Sequence, residues 1–269
     1  LRDSLPAGIA WFGALPRTDD SLPERHLGLW QAAEVGDLAA RLDLLADALA
    51  ATTAVDLPPT VNFAMAPAPV VPPRLAGQCI AVAHDTAYGF IYPANLETLR
   101  QLGAALRFFS PLAGEPLPAC DAVWLPGGYP ELHAPTLARN TALWTALRRH
   151  VEAGQPVLAE CGGMMSLFES VTDKAGVSHA FAGLLPGHAV MQQCLTALGM
   201  QSAVLPEGRL QGHTFHYSKS ETPLPPLCHA QRPDGRAGEA IYRQGRLTAS
   251  YVHFYFPSNP MAVAALLSS

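Results

Sequence analysis

The sequence has 269 residues, of which 49% are hydrophobic and 14% charged, and its formal net charge is −5. Such a chain can bury a substantial core, and its acidic balance with scattered Lys and Arg argues against a nucleic-acid partner. No apolar run reaches the roughly 18 to 20 residues that cross a bilayer, and the first residues lack the basic-then-apolar order of a signal peptide. We therefore expect a cytoplasmic protein with no membrane partner.

The first 65 residues offer one strand pattern and one helix pattern. IAWFGALPR, at 9–17, is typical of a short apolar strand that ends at a proline, and leucines recur at helical spacing between 38 and 49. Two elements are too few for a domain, so we interpret residues 1–65 as the end of a domain whose beginning is missing. The following APAPVVPPR is rich in proline, which fixes φ and removes amide donors, and we predict a linker over residues 66–77.

Beyond the linker, at residues 78–269, strand and helix patterns alternate. Apolar runs of strand length are CIAVAHD, LRFFSP, AVWLPGG and PVLAEC, and the helical patterns YPANLETLRQLG and TALWTALRRHVEAG each end in glycine. This alternation predicts a parallel sheet covered on both faces by helices. GHTFHYS, EAIYRQGRLTASYVHF and NPMAVAALL predict added β-structure and a closing helix. Ligands bind at the carboxyl ends of parallel strands, where the turns LPGGYP and AECGGM lie.

Cys161 differs from the other four cysteines, which carry no C-x-x-C pair and which we interpret as reduced thiols. A buried free cysteine is usually inert, and this interpretation suits Cys79 and Cys194. Cys161 instead lies between an apolar strand and two glycines, an order that resembles a nucleophile elbow with backbone amides and a helix dipole aimed at the sulfur. Such surroundings lower a thiol pKa and stabilise an oxyanion, so we predict that Cys161 is a nucleophile.

A cysteine nucleophile needs a base, and the candidate among ten histidines is His253, at the end of an apolar strand in ASYVHFYFPSNP. The two residues are far apart in sequence, so the fold must bring them together. On spacing alone, a structural histidine is an equally good interpretation. His213 and His216 in GHTFHYS alternate as metal ligands can, but no third ligand or carboxylate is suitably spaced, and we predict no metal.

The other glycine turn, in WLPGGYPEL, is a candidate for handling the electrophile. Gly127 and Gly128 would let the backbone approach a ligand and supply one amide of an oxyanion hole, while Gly162 would supply the second. A plain loop is an equally good interpretation of the turn. Together with Tyr129, these glycines are the predicted oxyanion and glutamine-binding residues.

Five segments in this order resemble the glutaminase domain of the cobyrinic or hydrogenobyrinic acid a,c-diamide synthases: VWLPGGYPEL, AECGGMM, GLLPGHAVM, GHTFHYS and SYVHFYFPSNP. AVAHDTAYGFIYPANLETL and FFSPL extend the resemblance over nearly all of residues 78–269. ERHLGL and GALPR are similar to the tail of the ATP-dependent, P-loop synthetase domain of that family. The resemblance implies an α/β fold with a flavodoxin-like, mostly parallel sheet flanked by helices, as in class I glutamine amidotransferases, preceded by a synthetase remnant at 1–65.

The resemblance also implies a reaction. Cys161 would attack the side-chain amide of L-glutamine to form a glutamyl thioester, His253 would activate the thiol and protonate the leaving ammonia, and water would release glutamate. The glutaminase domain would need no cofactor. In the full enzyme, ammonia would pass to the synthetase domain, where ATP and Mg²⁺ activate the a- and c-acetate carboxylates of the corrinoid.

Two departures limit what this chain is expected to do. Many class I glutaminases carry a glutamate two residues after the histidine, where this sequence has Tyr255, so the group that orients His253 is open. The only lysines, Lys174 and Lys219, are not preceded by glycine, so the chain has no G-x-x-x-x-G-K-[ST] phosphate loop. We expect the glutaminase half alone, with weak or no glutamine hydrolysis and no corrinoid amidation.

Several alternatives stay open at the level of sequence. Arg25 and His26 in ERHLGL could contact a corrinoid carboxylate on the synthetase side, or lie in a solvated turn. A nickel-sirohydrochlorin a,c-diamide synthase or a cobyric acid synthase belongs to the same group of enzymes. A flavodoxin-like cysteine hydrolase and a non-catalytic docking domain are more distant alternatives. The sequence fixes neither the metal content of the corrin ring nor the oligomeric state.

Overall fold

The computed structural model describes residues 2–15, 17, 22–23, 30, 32–52, 59–64 and 71–269. The chain divides into two compact units, residues 1–69 and 70–269. Two predictions stay predictions: that residues 1–65 come from a synthetase domain, and that residues 66–77 form a linker. No helix within the described ranges is long and apolar enough to cross a membrane.

The described part of the first unit contains only helical elements. They are two 3₁₀ helices, Arg2–Ser4 and Ala32–Glu34, and helix α1, Leu38–Ala50, which was predicted from its leucine spacing. The predicted strand over 9–17 is wrong for its described residues, 9–15 and 17, which have no strand conformation. A strand needs a neighbour to pair its amide and carbonyl groups, and the described residues of this unit include none.

The second unit begins with the predicted α/β alternation. Its first four strands are β1 (Cys79–Ala83), β2 (Ala105–Phe109), β3 (Ala122–Leu125) and β4 (Val157–Glu160). The helices between them are α2 (Pro93–Gln101), α3 (Ala134–Arg139) and α4 (Thr141–Glu152), and a 3₁₀ helix, Pro130–His133, follows β3. The four strands pair in parallel in the order β2-β1-β3-β4. All residues of β3 and β4 are buried, as expected for strands covered on both faces.

Past β4 the chain makes a one-turn helix and a second sheet. The helix is α5, Gly162–Met165. The sheet has the order β10-β7-β5-β6, and its strands are β5 (Phe168–Thr172), β6 (Ser178–Ala180), β7 (Leu185–Met191) and β10 (Ser218–Glu221). The sequence patterns did not predict it.

The remaining strands extend the first sheet in antiparallel fashion. They are β8 (Ala197–Leu205), β9 (Gly208–His216), β11 (Cys228–Gln231), β12 (Ala237–Gln244), β13 (Leu247–Ser250) and β14 (His253–Tyr255). The full order is β14-β9-β8-β11-β12-β13-β4-β3-β1-β2. A 3₁₀ helix, Phe256–Ser258, and helix α6, Pro260–Leu267, close the chain as predicted. The predicted α/β fold is confirmed, and the sheet is mixed because β13 joins a parallel half to an antiparallel half.

The short connection between β13 and β14 joins a central strand of the large sheet to its edge strand. β13 lies beside β4, whereas β14 lies at the sheet edge beside β9, yet only Tyr251 and Val252 separate them in sequence. The intervening antiparallel strands must therefore curl until β9 and β14 return to the carboxyl end of β4. The interior of this region is filled by apolar side chains of both halves, including the fully buried Trp124, Phe254 and Phe256.

Candidate active site

Cys161 lies at the turn from β4 into α5, as predicted. Its φ is 46°, and it is the only non-glycine residue with positive φ in the described part of the chain. This conformation is strained for a side chain that carries a Cβ, and such strain is typical of a nucleophile elbow. The next two glycines permit close packing, since a Cβ at Gly162 would lie 2.7 Å from Pro130 Cδ and one at Gly163 would collide with the Leu125 carbonyl.

His253 lies near Cys161, and both side chains approach the side of Gly127 on which a Cβ would lie. A Cβ added to Gly127 would lie 2.9 Å from His253 Nδ1 and 3.4 Å from Cys161 Cβ. The distance from His253 Nδ1 to Cys161 Cβ therefore cannot exceed the sum of these two distances. Both residues are buried, Cys161 with 7% of its surface exposed and His253 with 4%. The fold thus brings together the predicted nucleophile and the predicted base.

Aromatic rings hold the His253 imidazole. In the β9–β14 pairing, His253 lies opposite His213, and the two rings stack with centroids 5.1 Å apart. The Phe90 ring also packs against the His253 imidazole, with the two ring centroids 4.5 Å apart. Tyr92 Oη forms a hydrogen bond with His213 Nδ1 at 2.7 Å. His253 Nδ1 is buried and has no hydrogen-bond partner among the described residues. Tyr255, in the position of the usual glutamate, is 43% exposed. Ring packing, rather than a carboxylate, therefore orients the imidazole.

The protonation states differ from the sequence prediction. Burial raises the pKa of the Cys161 thiol, and the nearby carboxylate of Glu131 raises it further. Burial lowers the pKa of His253 to about 3, and His213 and His216 add to this effect. The prediction of a lowered thiol pKa is therefore wrong for the unliganded site, because the enclosed sulfur loses more solvation than one turn of helix can offset. The resting pair is a neutral thiol beside a neutral imidazole.

We expect iodoacetamide to modify the exposed Cys194 at least about tenfold faster than Cys161 at about pH 8 when glutamine is absent. Only the thiolate reacts, and burial keeps Cys161 protonated. Its rate should rise throughout the range from about pH 7 to 9 without levelling off. Peptide mass spectrometry of both cysteines would measure the rates, and a plateau for Cys161 below the ordinary thiol pKa of about 8.5 would contradict the assignment.

The predicted oxyanion residues lie around the same point. The Gly162 amide hydrogen-bonds the Cys161 sulfur. Gly128 has a φ of 157°, and a Cβ there would collide with the Ala87 carbonyl, so the turn needs glycine for close approach. The Tyr129 amide donates to the Ala87 carbonyl at 2.9 Å, which ties the turn to the loop after β1. The roles of Gly127, Gly128, Gly162 and Tyr129 in catalysis stay predictions.

A buried carboxylate that the sequence analysis missed directly precedes the nucleophile. Glu160 Oε1 accepts a hydrogen bond from the Phe254 amide at 2.8 Å, and Oε2 accepts one from Trp124 Nε1 at 3.0 Å. Burial raises the pKa of Glu160 to about 8, although both hydrogen bonds act against the shift. An acidic residue at the end of an otherwise apolar buried strand is the sequence signal that could have drawn attention to it.

The two histidines considered as metal ligands have separate partners. His213 bonds Tyr92, whereas His216 Nε2 lies 3.2 Å from Glu239 Oε1 and its ring stacks on Tyr251 at 3.8 Å. Because 213 and 216 have opposite parity on β9, they face opposite sides of the sheet. No cluster of three His, Cys, Asp or Glu suited to a metal ion occurs in the described ranges.

His216, Glu239 and Tyr251 line a cavity of about 270 Å³ with Thr196 and residues of β10. The hydroxyls of Thr196 and Tyr251 are buried without a hydrogen-bond partner among the described residues. Tyr251 follows Ser250, whose carbonyl accepts a hydrogen bond from the Cys161 amide at 2.8 Å, so the cavity lies next to the nucleophile turn. Arg25 and His26 lie outside the described residues, and their proposed corrinoid contact stays a prediction.

Comparison with known proteins gives a consistent result. Residues 79–261 match the family described as the CobB/CobQ-like glutamine amidotransferase domain. The chain is 56% identical to a hydrogenobyrinate a,c-diamide synthase of Stutzerimonas stutzeri, with 99% of this chain and 63% of that protein aligned. It is 54% identical to the protein of the same name from Pseudomonas aeruginosa, over 100% of this chain and 62% of that one.

A cobyrinate a,c-diamide synthase of Herminiimonas arsenicoxydans is 45% identical, over 94% of this chain and 59% of that protein. The chain thus spans about three fifths of the length of these curated relatives. The names of these relatives divide between hydrogenobyrinate and cobyrinate.

Proposed function

The chain belongs to the CobB/CobQ-like glutamine amidotransferase domain family, and from this premise we propose that it is the glutamine-hydrolysing part of an a,c-diamide synthase. The single observation that carries the proposal is that His253 and Cys161, which lies at a strained strand-to-helix turn, both lie within 3.4 Å of the position that a Cβ of Gly127 would occupy. The names of the relatives support a corrinoid acceptor, and the two higher identities favour hydrogenobyrinate over cobyrinate.

The protonation states support a concerted first step. Because burial disfavours a free thiolate, His253 takes the proton from Cys161 Sγ as the sulfur attacks the side-chain carbonyl of glutamine. Burial makes the imidazole a weak base, and the oxyanion that forms beside it stabilises its protonated state. The Gly162 amide, which already points at the sulfur, supplies one hydrogen bond to that oxyanion.

Collapse of the tetrahedral intermediate breaks the carbon–nitrogen bond. His253 returns its proton to the leaving nitrogen, so that ammonia departs and a glutamyl thioester remains on Cys161. A water molecule then attacks the thioester, with His253 as base, and releases glutamate and the thiol. The balance is glutamine plus water to glutamate plus ammonia.

The second half of the proposed activity concerns the acceptor. Ammonia attacks corrinoid carboxylates that ATP and Mg²⁺ have activated as acyl phosphates in the synthetase domain, and the described residues are assigned no part in this step. Delivery through a shielded path is favoured, because ammonia is mostly protonated in neutral water and then is not a nucleophile. The cytoplasmic location stays a prediction.

A segment exchange tests the proposal. In the Stutzerimonas relative, the part that matches this chain would be replaced by the 269 residues, and amidation of hydrogenobyrinate would be followed by mass spectrometry with ATP and either glutamine or ammonium chloride. We expect diamide with both nitrogen donors. The matched control carries Cys161→Ala and should form diamide with ammonium chloride alone.

Two results would contradict the proposal. One is an exchanged enzyme that works with ammonium chloride but not with glutamine, because this would remove the glutaminase role. The other is equal glutamine-dependent amidation by the Cys161→Ala control, because this would remove the nucleophile.

A further inference from the structure

We infer that Glu160 is a positioning residue that holds the His253 strand against the Cys161 turn. The inference rests on the proposed function, since it concerns the geometry of the same nucleophile and base. Glu160 itself touches neither the substrate nor the reacting atoms in this account, and it acts through the backbone next to His253.

The contacts of Glu160 connect the two catalytic elements directly. Glu160 is the last residue of β4 and is bonded to Cys161, and its Oε1 accepts a hydrogen bond from the amide of Phe254, the residue after His253, at 2.8 Å. Its Oε2 accepts a second hydrogen bond, from Trp124 Nε1 on the adjacent β3, at 3.0 Å. Only 2% of the Glu160 surface is exposed, so water does not compete for these bonds.

The strand that carries His253 has few other attachments. β14 is three residues long and pairs only with β9, at the edge of the sheet. β4 and β14 are not neighbours in the sheet, so no ladder of backbone hydrogen bonds sets their separation. Asn95 of α2 holds the other side of the same residue, since Asn95 Nδ2 donates to the Phe254 carbonyl at 2.8 Å. Besides the two-residue connection from β13, which pairs with β4, Glu160 therefore provides a direct side-chain link between the strand of the nucleophile and the strand of the base.

The two oxygens of a carboxyl group, protonated or not, suit this position better than an amide side chain. Both neighbours of Glu160 are N–H donors, and a carboxylate offers each of them an acceptor oxygen. A glutamine would offer one oxygen and turn its amino group towards the other donor. Glu160 interacts electrostatically with the Cys161 thiol and the Tyr92 hydroxyl, and neither is a cation that would pair with it. Burying an unpaired acid here costs stability, which is consistent with a functional reason to keep it.

The test is a double-mutant cycle in the exchanged enzyme described above, which carries all 269 residues of this chain. The glutamine analogue 6-diazo-5-oxo-norleucine would be used to measure kinact and KI for covalent modification of Cys161 in the wild type, Glu160→Gln, His253→Ala and the double variant. We expect Glu160→Gln to lower kinact about 10- to 100-fold with KI nearly unchanged, because the base is misplaced while the glutamine pocket is intact. The double variant should be no slower than His253→Ala alone, since a misplaced base matters only when the base is present.

A second variant keeps the test sound if Glu160→Gln folds poorly. Trp124→Phe removes one donor and leaves the Phe254 contact, so we expect a smaller loss of kinact that also disappears in the His253→Ala background. The matched control is Glu152→Gln on the exposed surface of α4, with wild-type kinact expected.

Outcomes for the inference and for the proposed function are separate. If His253→Ala slows modification while Glu160→Gln and Trp124→Phe do not, the positioning role is overturned and the glutaminase assignment stands. The positioning role would also be overturned if the double variant lost kinact by the product of the losses in Glu160→Gln and His253→Ala. Such a result would show that Glu160 acts independently of His253. If the wild type itself is not modified at Cys161, the proposed function and the inference fall together.

Discussion

Glutamine-dependent amidation is expected to fall by at least about 10³-fold when Cys161 is replaced by serine in the exchanged enzyme described above. A serine hydroxyl is a far weaker acid than a thiol, and burial already lowers the pKa of the proposed base, His253, to about 3. Proton transfer from the hydroxyl would therefore be strongly disfavoured. The rate of diamide formation with glutamine, compared with that with ammonium chloride, measures the effect.

The control for this prediction is Cys194→Ser, which changes an exposed thiol outside the site and should leave both rates unchanged. A Cys161→Ser enzyme that keeps more than a tenth of its glutamine-dependent rate would exclude Cys161 as the nucleophile.

The second large effect is expected from Gly127→Ala. The new methyl group would collide with His253 Cε1 and lie 2.9 Å from Nδ1, while 3.4 Å from Cys161 Cβ. The imidazole must move away from the sulfur, and we expect a loss of glutamine-dependent rate of about 10²-fold or more, because small displacements of a catalytic group are costly. Ammonia-dependent amidation should be unaffected.

Gly36→Ala is the matched control, because a Cβ there meets no atom within 4 Å and the backbone needs no positive φ. Its rate should equal that of the wild type. If Gly127→Ala also retains its full glutamine-dependent rate, His253 cannot be the base in the observed position.

Local patterns in the sequence predicted most of the fold in the second unit. The strands β1 to β4 are short, and β1, β3 and β4 are largely buried. Helices separate β1 from β2 and β3 from β4, and glycines follow α2 and α4, so the sequence periodicity agreed with the tertiary structure there. The same reasoning failed for residues 9–15, where an apolar run looks like a strand but the described part of the unit provides no partner strand. An apolar run in the sequence does not show whether a partner strand is present to pair with it.

The candidate site was predicted less completely, since it depends on contacts over long distances in sequence. The strand–Cys–Gly–Gly order was enough to find Cys161, because the elbow is a local structure. Nothing local indicates that β14 returns to the end of β4, which is what makes His253 the partner. The contact between Glu160 and Phe254 spans 94 positions, and the direction of the Cys161 pKa shift depends on burial by the whole fold.

The missing glutamate of other class I glutaminases also has a structural explanation. Tyr255 points to the exposed side of β14, and the imidazole of His253 is instead enclosed by Phe90 and His213. These ring contacts and the inferred positioning role of Glu160 are our candidates for the orienting group that the sequence left open.

The central claim is that Cys161 is a nucleophile that recognises glutamine with His253 as its base. The most direct measurement is peptide mapping by mass spectrometry after treatment with 6-diazo-5-oxo-norleucine, with and without an excess of glutamine, beside a His253→Ala control. We predict modification of Cys161 alone among the five cysteines, protection by glutamine and a marked loss in the control. Modification spread over exposed thiols such as Cys194, without protection by glutamine, would contradict the claim and return Cys161 to a structural role.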